Sequence, residues 1–201
     1  MKKYFFTFVL IFVLVLTISC TKTEKVYEFP VNREVIEKSV NEKNLTWDIT
    51  EEKVEDFRSS FVMKDNKGDA GRLDVGITVV FESVGNDEER YLSAQIIYPN
   101  DYSVAQIQDE QAANLPLLID LSTELYGIGD SSKLIYNEFT KYSDKESNSG
   151  SESVLWEYEI KDTHVLLRMS SLNKGVMLRK CAILIMNNTS YEKYTEGLAQ
   201  D

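Results

Sequence analysis

Glu157 and Glu159 sit two residues apart in an alternating run, so both carboxylates fall on one face of a strand. That spacing, ~6.5–7 Å, lies within the range used by paired-carboxylate glycoside hydrolysis, in which one group donates a proton and the other assists water or attacks the sugar. His164 is the single histidine. It shares a predicted strand face with Arg168 and Ser170 and is expected to point at water, without the partners a nucleophilic triad needs. Cys181 lies in an apolar run and reads as a buried, unreactive thiol. The plainer reading of the two glutamates is an acidic, solvated sheet face, since acidic residues abound in the whole chain.

Other patterns give weaker signals. Asp65, Asp69 and Asp74, and the run Asp87-Glu88-Glu89, are oxygen-rich clusters of the kind that bind Ca²⁺. Neither has the spacing of a calcium-binding loop, and charged turns that keep strand edges apart account for both. Gly127-Ile128-Gly129 follows a helical pattern, not a strand, which disfavours a phosphate-cradling loop. The 11 Tyr and 9 Phe fall mostly on alternating strand positions, as core or sheet-surface residues do.

Composition narrows the field further. The 201 residues carry 22 Lys plus Arg against 33 Asp plus Glu, a net charge of −11. Nucleic acid is therefore excluded as a partner, because phosphate binding needs a basic surface. One His and two Cys exclude a multi-histidine metal site and a disulfide framework. No catalytic set, cofactor motif or metal motif is expected. The hydrophobic share of 43% and charged share of 27% are those of a folded globular chain.

The N-terminus has its own logic. Met1-Lys2-Lys3 is basic, Tyr4 to Ile18 is apolar apart from Thr7 and Thr17, and Ser19-Cys20 follows. That order is the secretory signal pattern, and the apolar run is shorter than the ~20 residues that span a bilayer. Leu16-Thr17-Ile18-Ser19-Cys20 resembles the lipobox of bacterial lipoproteins, with Leu one step further from the Cys than is usual. The resemblance implies cleavage between Ser19 and Cys20 and a lipid on the Cys20 thiol. The partner implied is the membrane itself, on its extracytoplasmic face. Losing residues 1–19 removes Lys2 and Lys3, leaving 20 basic against 33 acidic side chains and a net charge of −13. Such a body is repelled by anionic lipid, so acyl chains must do the holding. Residues 20–28 would form a lipidated tether.

Residues 29–201 read as one α+β domain with an antiparallel sheet. The stretches 29–100 and 101–201 each read as helix first, then a meander of strands, without a residue-level repeat. Asn32 is the expected cap of a helix carrying Val35, Ile36 and Val40 and ending near Asn44. A short strand around Trp47–Thr50 comes next. The alternation from Glu55 to Lys64 puts Phe57, Ser59, Phe61 and Met63 on one face. Leu73 to Phe81 and Tyr91 to Tyr98 alternate likewise, joined by the polar hairpin loop 85–90. Asp109 to Gly127 is helical, with Pro116 expected to kink it or start a new helix. A second helix reaches Tyr142, and Asp144 to Ser153 reads as a loop. Strands around Trp156, Leu167 and Ile183 follow, the last with both faces apolar. Thr189 with Glu192 fits a capping box for a C-terminal helix.

These elements lead to a surface-anchored domain that binds a protein or small-ligand partner through a sheet with one wet face. The alternatives are an envelope hydrolase using Glu157 and Glu159, and an inhibitory or immunity-like lipoprotein. The last is similar only in outline to the helix-plus-meander units of β-lactamase inhibitor proteins, and it would seek a basic partner surface.

Overall fold

The computed structural model describes residues 27–65, 76–99, 102–149, 153–170 and 180–198. The order is α1 (Arg33–Glu42), β1 (Trp47–Glu55), β2 (Arg58–Asp65), β3 (Thr78–Gly85), β4 (Arg90–Ile97), α2 (Val104–Tyr126), a 3₁₀ turn (Gly129–Ser131), α3 (Ser132–Ser149), β5 (Ser153–Ile160), β6 (Thr163–Ser170), β7 (Lys180–Asn187) and α4 (Asn188–Leu198). The fold is α+β. One seven-stranded antiparallel sheet runs β1-β2-β3-β4-β7-β6-β5, so the two halves of the chain meet where β4 pairs with β7.

Local chemistry starts and stops these elements. Asn32 Oδ1 accepts from the Val35 N–H at 3.0 Å and opens α1. Ser103 and Gln106 form a capping box at the start of α2, earlier than Asp109. Gly127, with φ 95°, ends that helix in the left-handed conformation only glycine adopts freely.

Period-2 burial then sets the sheet faces. In β3, Val79, Phe81 and Ser83 are buried, and the intervening Thr78, Val80, Glu82 and Val84 are half-buried. Phe61, Met63, Leu92, Ala94, Ile96, Val165, Leu167, Cys181, Ile183 and Ile185 join the same core. Three helices cover this face: α1 beside β1, α2 over β4 and β7, and α3 over β5. Lys43 fastens α1 to α2 through Asp120 at 2.5 Å and Glu124 at 2.7 Å. Burial alone would lower its pKa, and the two hydrogen bonds outweigh it and leave the ammonium above its ordinary value.

Several expectations need correction. Phe57 is 60% exposed in the turn between β1 and β2, because the chain reverses at Asp56-Phe57 and the alternating face begins only at Ser59. β1 is nine residues long, not a short strand ending at Thr50, with a bulge between Ile49 and Glu51. Of the two outcomes expected at Pro116, a new helix is ruled out, since α2 runs unbroken across it from Val104 to Tyr126. The cost of an interior proline, about 3 kcal/mol, is smaller than the burial of Leu115, Leu118, Ile119, Leu121 and Leu125, each contributing about 1.5–3 kcal/mol. The expected loop from Asp144 is helical to Ser149, since no glycine or proline interrupts the chain before Gly150. Asn187, not Thr189, caps α4, its Oδ1 accepting from the Ser190 N–H at 3.0 Å.

Candidate functional site

The face of the sheet opposite α1, α2 and α3 is only partly covered. Strand register sets out its rows: Arg58, Val84, Tyr91, Met186, His164 and Glu159 lie across one end, and Ser60, Glu82, Ser93, Leu184, Leu166 and Glu157 form the next row. α4 follows β7 directly and folds back over β4, β7 and β6. Met186 and Leu166 are buried beneath it. Beyond its reach, Leu155 is 54% exposed, and Val62, Val80, Val84 and Ile97 are half-buried.

Glu157, Glu159 and His164 share this face, and the structure joins them in a way their spacing does not reveal. His164 does not stand free in water. Its side chain is 13% exposed because the ring of Tyr191 lies on it. His164 Nδ1 is 3.6 Å from Glu157 Oε1, and Nε2 is 3.2 Å from Asn188 Oδ1. The hydrogen bond to Glu157, followed by burial, raises the Tyr191 phenol above its ordinary pKa. Glu157 is thus tied into the docking of α4. Glu159 stands opposite His164 in the strand register and is exposed.

A cleft of about 390 Å³ opens between α4 and the sheet, lined by Glu82, Glu89, Tyr91, Met186, Lys193 and Tyr194 among others. Tyr91 donates to Glu82 Oε1 at 2.6 Å, and Arg58 Nη2 meets the same oxygen at 2.8 Å. Burial first, and that hydrogen bond second, push the Tyr91 phenol up to about 12. Lys193 pairs with Glu89 across the mouth. The cleft therefore has a floor of aromatic and sulfur-bearing side chains and a rim of satisfied charge. Neither Glu157 nor Glu159 lines it.

Cys181 is fully buried, and desolvation pushes its thiol up to about 12, so it is protonated at neutral pH and not nucleophilic. Cys20, Asp69 and Asp74 lie outside the described residues. Among the described residues no group of three or more His, Cys, Asp or Glu is arranged to hold a metal ion. Nor is any helix among them long and apolar enough to cross a membrane.

Tyr91, Lys193, Tyr194 and Arg90 are not legible as site residues from sequence. Tyr91 and Arg90 sit in an alternating strand and its loop, and Lys193 and Tyr194 belong to a helix whose docking no local pattern specifies. No protein-family model, curated protein or solved structure matches the chain.

Proposed function

We propose that the protein is a bacterial extracytoplasmic lipoprotein, held to the cell membrane by lipid on Cys20, whose domain binds a protein partner through the open face of its sheet. The observation that carries the binding half is the strand-to-strand row Val62, Val80, Gln95, Ala182, Arg168 and Leu155, a mixed apolar and polar surface with half-buried valines at one side and the exposed Leu155 at the other. The anchoring half rests on Leu16 to Cys20 and the basic, apolar leader before it.

Charge selects the kind of partner. With 33 acidic side chains against 20 basic ones after residue 19, the domain repels acidic proteins and anionic lipid and attracts basic surfaces within about a Debye length. This reading takes in the inhibitory or immunity-like alternative as one form of partner binding. The hydrolase alternative has less support, because Glu157 is engaged with His164 and Tyr191 on an open sheet face.

The test is capture of envelope proteins by the purified full chain, compared with a Leu155→Asp variant. The reading expects a basic protein that is retained by the parent, released by raised salt and lost from the variant. Equal recovery by both chains, or nothing above background, would refute it.

A further inference from the structure

Arg90 opens β4 with its side chain on the helix-covered face, in line with Leu92, Ala94 and Ile96. Its guanidinium lies over the ring of Phe29 at 4.2 Å and over that of Tyr126 at 4.9 Å. Those rings meet edge to face at 5.6 Å. Arg90 Nη2 donates to the Tyr126 carbonyl oxygen at 2.9 Å. Nε is buried with no hydrogen-bond partner. No carboxylate among the described residues pairs with this cation, and burial lowers its pKa. In a chain with an excess of acid, a half-buried guanidinium left with an idle donor is costly and calls for a reason.

A cleft of about 410 Å³ opens beside it, lined by Tyr27, Phe29, Asp56, Phe57 and Asp87 as well as Arg90. The entering chain forms one wall and is held firmly. The Val31 N–H donates to Ser83 Oγ at 2.8 Å, and Ser59 Oγ donates to the Val31 carbonyl at 2.6 Å. Phe29 lies against Gly85, where any side chain would strike it at 2.3 Å. The cleft is thus lined by a cation, two carboxylates in adjacent turns, and aromatic rings including the exposed Phe57.

We propose that this cleft binds a small zwitterion, an α-amino acid or dipeptide with an aromatic side chain, its carboxylate held by Arg90 and its ammonium by Asp56 and Asp87. A planar guanidinium suits a carboxylate, which it can grip with two parallel N–H donors. A simple anion is opposed by the acidic body and the two rim carboxylates, and a simple cation is opposed by Arg90. A zwitterion meets both signs at once and carries no net charge. The volume is that of small-molecule sites in general, about 300–1,000 Å³. Tyr27 and Phe57 supply flat apolar surface for the side chain.

The experiment is isothermal titration calorimetry of the full chain in detergent. The probes are L-phenylalanine, its amide, which lacks the carboxylate, N-acetylphenylalanine, which lacks the ammonium, and inorganic phosphate. Saturable binding of phenylalanine is expected, with each of the other three about tenfold weaker or more. Arg90→Lys should weaken phenylalanine by about tenfold, since the bidentate grip and ring stacking are lost. Should that variant not fold, the Asp56→Asn, Asp87→Asn double variant alters only turn residues. It should weaken phenylalanine by about tenfold and strengthen N-acetylphenylalanine, whose lone carboxylate no longer faces two rim charges. The proposal is overturned by no heat with phenylalanine, by equal binding of the amide or of phosphate, or by an unaltered affinity in the double variant.

Discussion

The phenol ring of Tyr191 lies flat on the imidazole of His164, with centroids 3.7 Å apart and planes within 5°. One residue belongs to α4 and the other to β6, so this stack fixes the C-terminal helix to a sheet face that is otherwise open. Glu157 and Asn188 flank the imidazole and limit its rotation.

Removing the stack should loosen α4 while leaving the sheet intact. An aromatic pair adds about 1 kcal/mol beyond burial, which is about fivefold in the opening equilibrium of the helix. Tyr191→Ala is therefore expected to speed amide exchange across residues 188–198 by fivefold or more, with β3 and β4 unaffected. Unchanged exchange in α4 would show that other contacts hold it.

Alkaline pH should destabilise the domain in a defined window. Burial holds the Cys181 thiol and the Tyr91 and Tyr126 phenols near 12, their neutral forms favoured by the fold. Their contribution is complete below the values of the unfolded chain, about 8.5 for the thiol and about 10 for the phenols. It is lost as pH rises from there to about 12. Urea midpoints should fall between about pH 8 and pH 11, and Cys181→Ala should remove the earliest part of that fall. A parent and variant with identical pH profiles would contradict the assignment to the thiol.

Two glycines should respond in opposite directions to alanine. At Gly85 the new Cβ would lie 2.3 Å from Phe29 Cβ, so the entering segment must shift, at a cost of about 1–3 kcal/mol. Gly197, in α4, has nothing within 4 Å of that position. Gly197→Ala should stabilise the helix by about 0.5 kcal/mol. Urea denaturation of the two variants checks both signs.

Features set by near neighbours along the chain are legible in the sequence alone. Asn32 as a cap, Gly127 as a terminator and the alternation through Phe81 and Ile96 depend on residues a few places apart. Alternation does not mark where a strand reverses, so it places Phe57 on a strand face when the residue belongs to a turn. Pro116 stays inside α2 because tertiary burial outweighs a local penalty. The site is harder still to read. His164 and Tyr191 are 27 positions apart, as Glu157 and Leu184 are, and Arg90 is 61 positions from Phe29. The pairing of β5, β6 and β7 and the return of α4 join the first two pairs, and the docking of the entering segment on Ser59 and Ser83 brings Phe29 to Arg90.

Location is the foundation of the functional reading, and mass spectrometry of the protein purified from membranes tests it most directly. The account predicts a mature N-terminus at Cys20 with diacylglyceryl on its sulfur, and a Cys20→Ala variant released from the membrane fraction. An unmodified Cys20 thiol, or a variant that sediments with membranes as fully as the parent, would contradict it.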